Sequence, residues 1–135
     1  GDVPNINVMS GTYANAVEPA GTGDPYTVSV GNITMTGAKK GTAQISNLWD
    51  YFGPVTINFD WSDPNNTIVS IPYQQTNQDY AAGQPFMIRT SPGKVSKFSV
   101  CNNRISLTVD IIVNNYPTVG SAVYYDSDYE IIINR

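Results

Sequence analysis

The chain contains no histidine and a single cysteine, Cys101. Without histidine there is no Ser-His-Asp or Cys-His catalysis and no His-ligated zinc. One cysteine excludes an internal disulfide and every multi-Cys metal motif. Charge is scarce, at 13% of residues against about 25% in an average soluble domain. Seven Lys and Arg face eleven acids, giving a net charge of −4. That balance lacks the basic stripe of a nucleic-acid-binding protein, so no nucleic-acid partner is expected. No apolar run approaches the roughly 18 residues of a membrane-spanning helix. Helix-forming residues are also short, with two Glu, two Leu and four Lys.

What fills the chain instead is neutral and polar: 14 Asn, 12 Thr and 11 Ser among 135 residues, a length that suits one domain. Residues 1–10 carry Pro4 and read as a lead-in or tether, and residues 11–135 as a single domain. Strand formers dominate that domain, and period-2 alternation recurs. Val55, Ile57, Phe59 and Trp61 alternate with polar residues, as do Ile105, Leu107, Val109, Ile111 and Val113. Tyr26, Val28 and Val30 repeat the pattern. Tyr125, Tyr129, Ile131 and Ile133 share one face of a last strand, with Asp126, Asp128 and Glu130 on the other. One buried face and one wetter face is the mark of antiparallel sheets.

Turn chemistry separates these runs. Gly37-Ala38-Lys39-Lys40-Gly41 and Asp63-Pro64-Asn65-Asn66 read as hairpin loops, and Ser91-Pro92-Gly93 as a further break. Val95 is out of phase with Phe98 and Val100, which predicts a β-bulge. Eight or nine strands with short links favour an all-β, up-and-down antiparallel barrel of about eight strands. Such a barrel is just wide enough to be filled by side chains or to hold one small ligand. The alternative is an immunoglobulin-like Greek-key β-sandwich, for which 48–54 and a Gln-rich loop within 74–84 would supply the crossovers.

The middle of the chain has a distinctive order. Ile45-Ser46-Asn47-Leu48-Trp49 is followed by an alternating run, Val55 to Asp60, then by Asn66-Thr67-Ile68-Val69-Ser70-Ile71-Pro72 and Gln74-Gln75. With Gly11-Thr12-Tyr13 near the start, this order resembles small secreted lipoproteins of Bacteroidetes, several of which are lipocalin-like or calycin-like β-barrels. The resemblance covers residues 11–75 and transfers no catalytic residue. It implies an extracytoplasmic place, in the periplasm or at the cell surface, beside glycan-uptake functions. It also leaves room for an N-terminal lipid anchor ahead of Gly1.

Candidate chemistry is sparse. Asp126, Asp128 and Glu130 could offer oxygens to Ca²⁺, but they lack a loop of suitable geometry and read as a solvated strand face. Asp60 and Asp63 flank a turn, where acids bond the backbone far more often than they form a hydrolytic pair. Cys101 reads as a small apolar side chain buried at a strand end. No catalytic residue, metal site or cofactor is therefore assigned, and the chain is read as no enzyme. The aromatics stand out. Trp49, Tyr51 and Phe52 cluster in one loop, Tyr73 and Tyr80 bracket the Gln-rich stretch, and Tyr116 lies in Asn-Asn-Tyr-Pro. Flat apolar faces beside neutral hydrogen-bonding groups suit a small apolar or carbohydrate ligand. The expectation is a lipocalin-like binding protein that takes such a ligand at the barrel mouth. The alternative is a structural or protein-interaction module of a cell-surface glycan-uptake assembly, with a protein partner.

Overall fold

The computed structural model describes residues 5–21 and 23–135. Its strands are β1 (Gly11–Val17), β2 (Tyr26–Gly37), β3 (Lys40–Ser46), β4 (Val55–Asp60) and β5 (Ile68–Ser70), then β6 (Gln74–Ala81), β7 (Gln84–Thr90), β8 (Ser96–Ser99), β9 (Arg104–Asn114) and β10 (Ala122–Asn134). All pairings are antiparallel, and β10 joins both β9 and β1, so eight strands close into a ring. β5 and β6 run end to end against β8 and β7, which lie end to end along β9. Each stave therefore neighbours the next in sequence. The ring is barrel-like and up-and-down, with no Greek-key crossover. Closure leaves few bare edges, which an open sheet of this length would expose to aggregation.

Several sequence expectations change at this level. Ser91-Pro92-Gly93 does break the chain, between β7 and β8, and there it interrupts a stave without reversing direction. Val95 sits in that interruption, exposed and ahead of β8, so its phase error reflects a late strand start and not a bulge. The bulges fall in β10 instead, at Tyr124/Asp126 and Asp126/Tyr129, with Asp128 in the left-handed region at φ 50°. The stretch expected as a Gln-rich crossover is strand β6 with its hairpin.

The bore is filled. Val28, Ile45, Ile57, Phe59, Ile88, Leu107, Ile111 and Ile131 are buried there with their neighbours, set by the period-2 alternation. At the base, where the last residue Arg135 lies, a 3-10 turn at Ile6–Met9 tucks Ile6 and Met9 into the core. The second half of the expected lead-in thus packs with the domain, and residues 1–4 lie outside the described residues. Tyr13 donates its hydroxyl to the Met9 carbonyl at 2.6 Å. The Arg135 guanidinium lies 4.6 Å from the Tyr13 ring centroid and donates to the carbonyls of Val8 and Ser10. The last residue of the chain therefore clamps its first turn. No helix among the described residues is long and apolar enough to cross a membrane.

Side-chain amides complete the ring beside β6. Gln74 accepts from the Thr56 N–H and donates to the Thr56 carbonyl, both at 2.9 Å, as a strand neighbour would. Asn77 accepts from the Gly53 N–H at 2.7 Å, and Gln78 donates to the Tyr51 carbonyl at 3.1 Å. Gly53 permits this approach, because a Cβ there would meet the Asn77 amide at 2.7 Å. Gln74→Ala removes these two bonds and a third, to the Pro72 carbonyl at 2.9 Å. Because the site is exposed and water can take over these partners, the loss is expected to be about 1 kcal/mol in urea unfolding, more than for Gln75→Ala, whose side chain lacks these bonds to Thr56.

Candidate functional site

The rim opposite the base carries the 47–54 loop, the β1–β2 and β9–β10 connections and the β6–β7 turn. The loop is built around backbone that ordinary residues avoid. Asn47, Trp49 and Asp50 all have positive φ, at 73°, 60° and 52°. Left-handed backbone at a non-glycine residue costs on the order of 1 kcal/mol or more and persists only where the surroundings impose it. Here the surroundings are explicit. Leu48 and Phe52 are buried as anchors. The Asn47 N–H donates to the Phe52 carbonyl at 2.8 Å, and the Asn47 side chain donates to the Thr27 carbonyl and to Asp50. The result folds the loop back over the bore and turns Trp49 and Tyr51 onto the rim.

Trp49 stacks on Phe52 at 5.4 Å and meets Phe86 and Tyr125 edge-on at 5.4 and 5.2 Å. Tyr51 lies 6.2 Å from Trp49, and Tyr80 lies 5.4 Å from Tyr116 and 6.2 Å from Tyr125. Five of the six residues singled out from sequence, Trp49, Tyr51, Phe52, Tyr80 and Tyr116, thus join one cluster. Within it Phe52 is floor, at 2% exposure, whereas Tyr51, Tyr80 and Tyr125 are 44–51% exposed. Tyr73 stands apart on the outer flank, near Arg89, Ile112 and Tyr124, with its hydroxyl donating to Asn114. Sequence reasoning missed Phe86 and Tyr125. Phe86 lies inside an apolar run and carries no loop signal. Tyr125 reads as an ordinary strand residue on the inner face, and it falls in the register shift at Tyr124/Asp126.

The same bulges divide the acidic strand. Asp126 pairs with inward-facing Ile111 and Glu130 with outward-facing Thr108, so the three carboxylates do not share one solvated face. Asp128 uses its backbone N–H on Asp110, at 3.1 Å. Asp110 is buried and also accepts from Ser91 at 2.8 Å and from Arg89 at 3.0 Å. Burial alone would raise its pKa, but these donors outweigh it and hold the carboxyl below the usual range. This network pins the bulged part of β10 to β9.

Asp126 enters the mouth, where Glu18 lies. Glu18 accepts hydroxyls from Tyr26 at 2.5 Å and Tyr129 at 2.6 Å. Burial first, then the Glu18 carboxylate, drive both tyrosine pKa values up. Glu18, Asp24, Tyr26, Trp49 and Asp50 line a hollow of about 330 Å³ beside the aromatic cluster. A smaller hollow of about 160 Å³ runs among Tyr80, Tyr116, Tyr124 and Tyr125. Both are open surface features; the side of the rim facing the bore is packed.

The remaining candidates resolve simply. Asp60 accepts from the Ser62 hydroxyl and N–H, which lower its pKa, and Asp63 accepts from the Asn65 N–H, so both cap the turn. Cys101 is exposed on the β8–β9 turn and not buried at a strand end, because β8 stops at Ser99. Among the described residues, no three His, Cys, Asp or Glu side chains gather to hold a metal. Comparison with family models, curated proteins and solved structures finds no match to this chain.

Burial, then the Glu18 charge, push the Asp126 carboxyl above its ordinary pKa. Its folded state therefore binds the proton more tightly than the unfolded chain does. The stability this gives is present below the ordinary carboxylate pKa and is lost as pH rises through the raised value. Asp126→Asn removes that loss. Its melting temperature should exceed the wild type's at neutral pH, and the gain should shrink as pH falls below the carboxylate range. A variant that melts lower at neutral pH would contradict this electrostatic account.

Proposed function

We propose that this chain is a non-enzymatic binding protein that recognises a sugar-like ligand on its aromatic rim, at the cell surface or in the periplasm. The observation that carries the reading is the convergence of half-exposed Tyr51, Tyr80 and Tyr125 with partly buried Trp49 and Tyr116 on one end of the ring, from several separate chain segments. Apolar ring faces of this kind stack on the apolar faces of pyranose rings, while hydroxyls and amides at their edges bond the sugar hydroxyls. The strained Trp49 backbone supports it, since strain of this kind gathers at functional positions. With the bore filled, the reading keeps the ligand at the barrel mouth, where it was expected, and on the rim. The extracytoplasmic location draws on the resemblance to secreted Bacteroidetes lipoproteins.

A second reading, a protein-interaction module, draws on the outer flank. There Tyr73, Val123 and Tyr124 are exposed around Ile112. Calorimetric titration with β-linked gluco- and chito-oligosaccharides separates the two. Tyr51→Ala and Tyr125→Ala should each weaken saccharide binding about fivefold, or about 1 kcal/mol, with little change in melting temperature. Tyr73→Ala should leave binding unchanged. No saccharide binding, or equal loss in the Tyr73 variant, would overturn the rim reading in favour of the flank.

A further inference from the structure

Where the bore meets the rim, its apolar lining comes to the surface. Val113 and Val123 face each other across β9 and β10. Val113 belongs to the packed core, whereas Val123 is 41% exposed. Around them stand Tyr80 from the end of β6, Tyr116 from the β9–β10 connection, and Tyr124 and Tyr125 from β10. Tyr80, Tyr124 and Tyr125 are 48–56% exposed, so the hollow they enclose is open to a ligand.

Size, floor and edge each narrow what fits there. The hollow holds about 160 Å³. Sites that enclose a whole small molecule hold roughly 300–1,000 Å³. This one is too small for that and suits a substituent of a sugar ring lying on the rim. Among the described residues, no charged side chain and no side-chain amide lines it. A hydroxyl or ammonium carried onto the valine floor would give up water without a partner below it, whereas a methyl gains by leaving water. The edge is polar in a particular way. The hydroxyls of Tyr80, Tyr116 and Tyr125 make no hydrogen bond among the described residues, so each is free both to donate and to accept. The Tyr124 hydroxyl accepts from Arg89 at 2.9 Å and keeps its proton for another acceptor.

We infer that the rim selects N-acetylated sugars, with the acetamido methyl seated on Val123 and the acetamido carbonyl and N–H met by tyrosine hydroxyls. The group matches the hollow on both counts. Its methyl suits the floor, and its amide suits an edge whose hydroxyls donate and accept. A plain sugar hydroxyl leaves the floor unused. A free amine brings a charge that no carboxylate of the lining answers. The inference rests on the rim reading above and narrows its ligand to one class.

The test titrates the protein by calorimetry with three β-linked tetramers: N-acetylglucosamine, glucosamine with free amines, and glucose. The N-acetylated tetramer should bind about tenfold tighter than the glucose tetramer, the scale set by one methyl-sized group in an apolar pocket. The free-amine tetramer should show no such advantage. Val123→Phe fills the hollow and should bring the N-acetylated and glucose tetramers within about twofold of each other. Val123→Thr keeps the volume but puts a hydroxyl in the floor, and should cut the advantage to about threefold. The second variant serves where the larger ring disturbs β10. Tyr73→Ala, on the flank, should keep the full preference. Equal binding of the N-acetylated and glucose tetramers would overturn the N-acetyl inference and leave the rim reading standing. So would a free-amine tetramer that binds as tightly as the acetylated one, or a preference unchanged in both Val123 variants. Absence of binding by all three tetramers would overturn both readings.

Discussion

The bore of an eight-strand ring is the constraint from which the rest of this molecule follows. A ring of that size can be filled by side chains or can be emptied to hold one small ligand, but not both. This chain fills it. Ile, Val, Leu and Phe side chains from nearly every strand meet there, and Ile6 and Met9 close the base. Dense packing of this kind gives the scaffold its rigidity. It also leaves the ends and the outer surface as the places where anything else can be recognised.

The two ends are finished differently. At the base, Arg135 reaches across the closing seam to the first described turn and stacks on Tyr13. At the rim, a loop held in left-handed backbone, two bulges in β10 and a set of carboxylates surround half-exposed aromatic rings. The bulges are the structural device that matters most there. Without them Tyr125 and Asp126 would continue the strand's alternation on opposite faces. With them both turn toward the mouth, and the Asp110 network holds that arrangement from behind.

Strand identity and ring closure were legible because the alternation of Val55 to Trp61 and of Ile105 to Val113 marks one buried face directly. The aromatic loop was legible too, since Trp49, Tyr51 and Phe52 adjoin in sequence. Tyr125 was not, because bulges depend on what the neighbouring strand demands and leave no periodic trace. The role of Gln74, Asn77 and Gln78 was hidden for a related reason. A Gln-rich run reads as a polar loop, and only the ring's gap beside Thr56 and Gly53 turns those amides into substitutes for a strand. Asn77 and Gly53 form a pair 24 residues apart that no local pattern announces.

The central claim is that a packed ring recognises its ligand on the rim and not within the bore. Backbone and methyl NMR during titration with the β-linked gluco- and chito-oligosaccharides tests it most directly. The account predicts shifts confined to residues 47–53, 80–84, 115–117 and 123–126, with the methyls of Ile57, Leu107 and Ile131 unmoved. Shifts concentrated on those bore methyls, or on the base around Arg104 and Arg135, would contradict it.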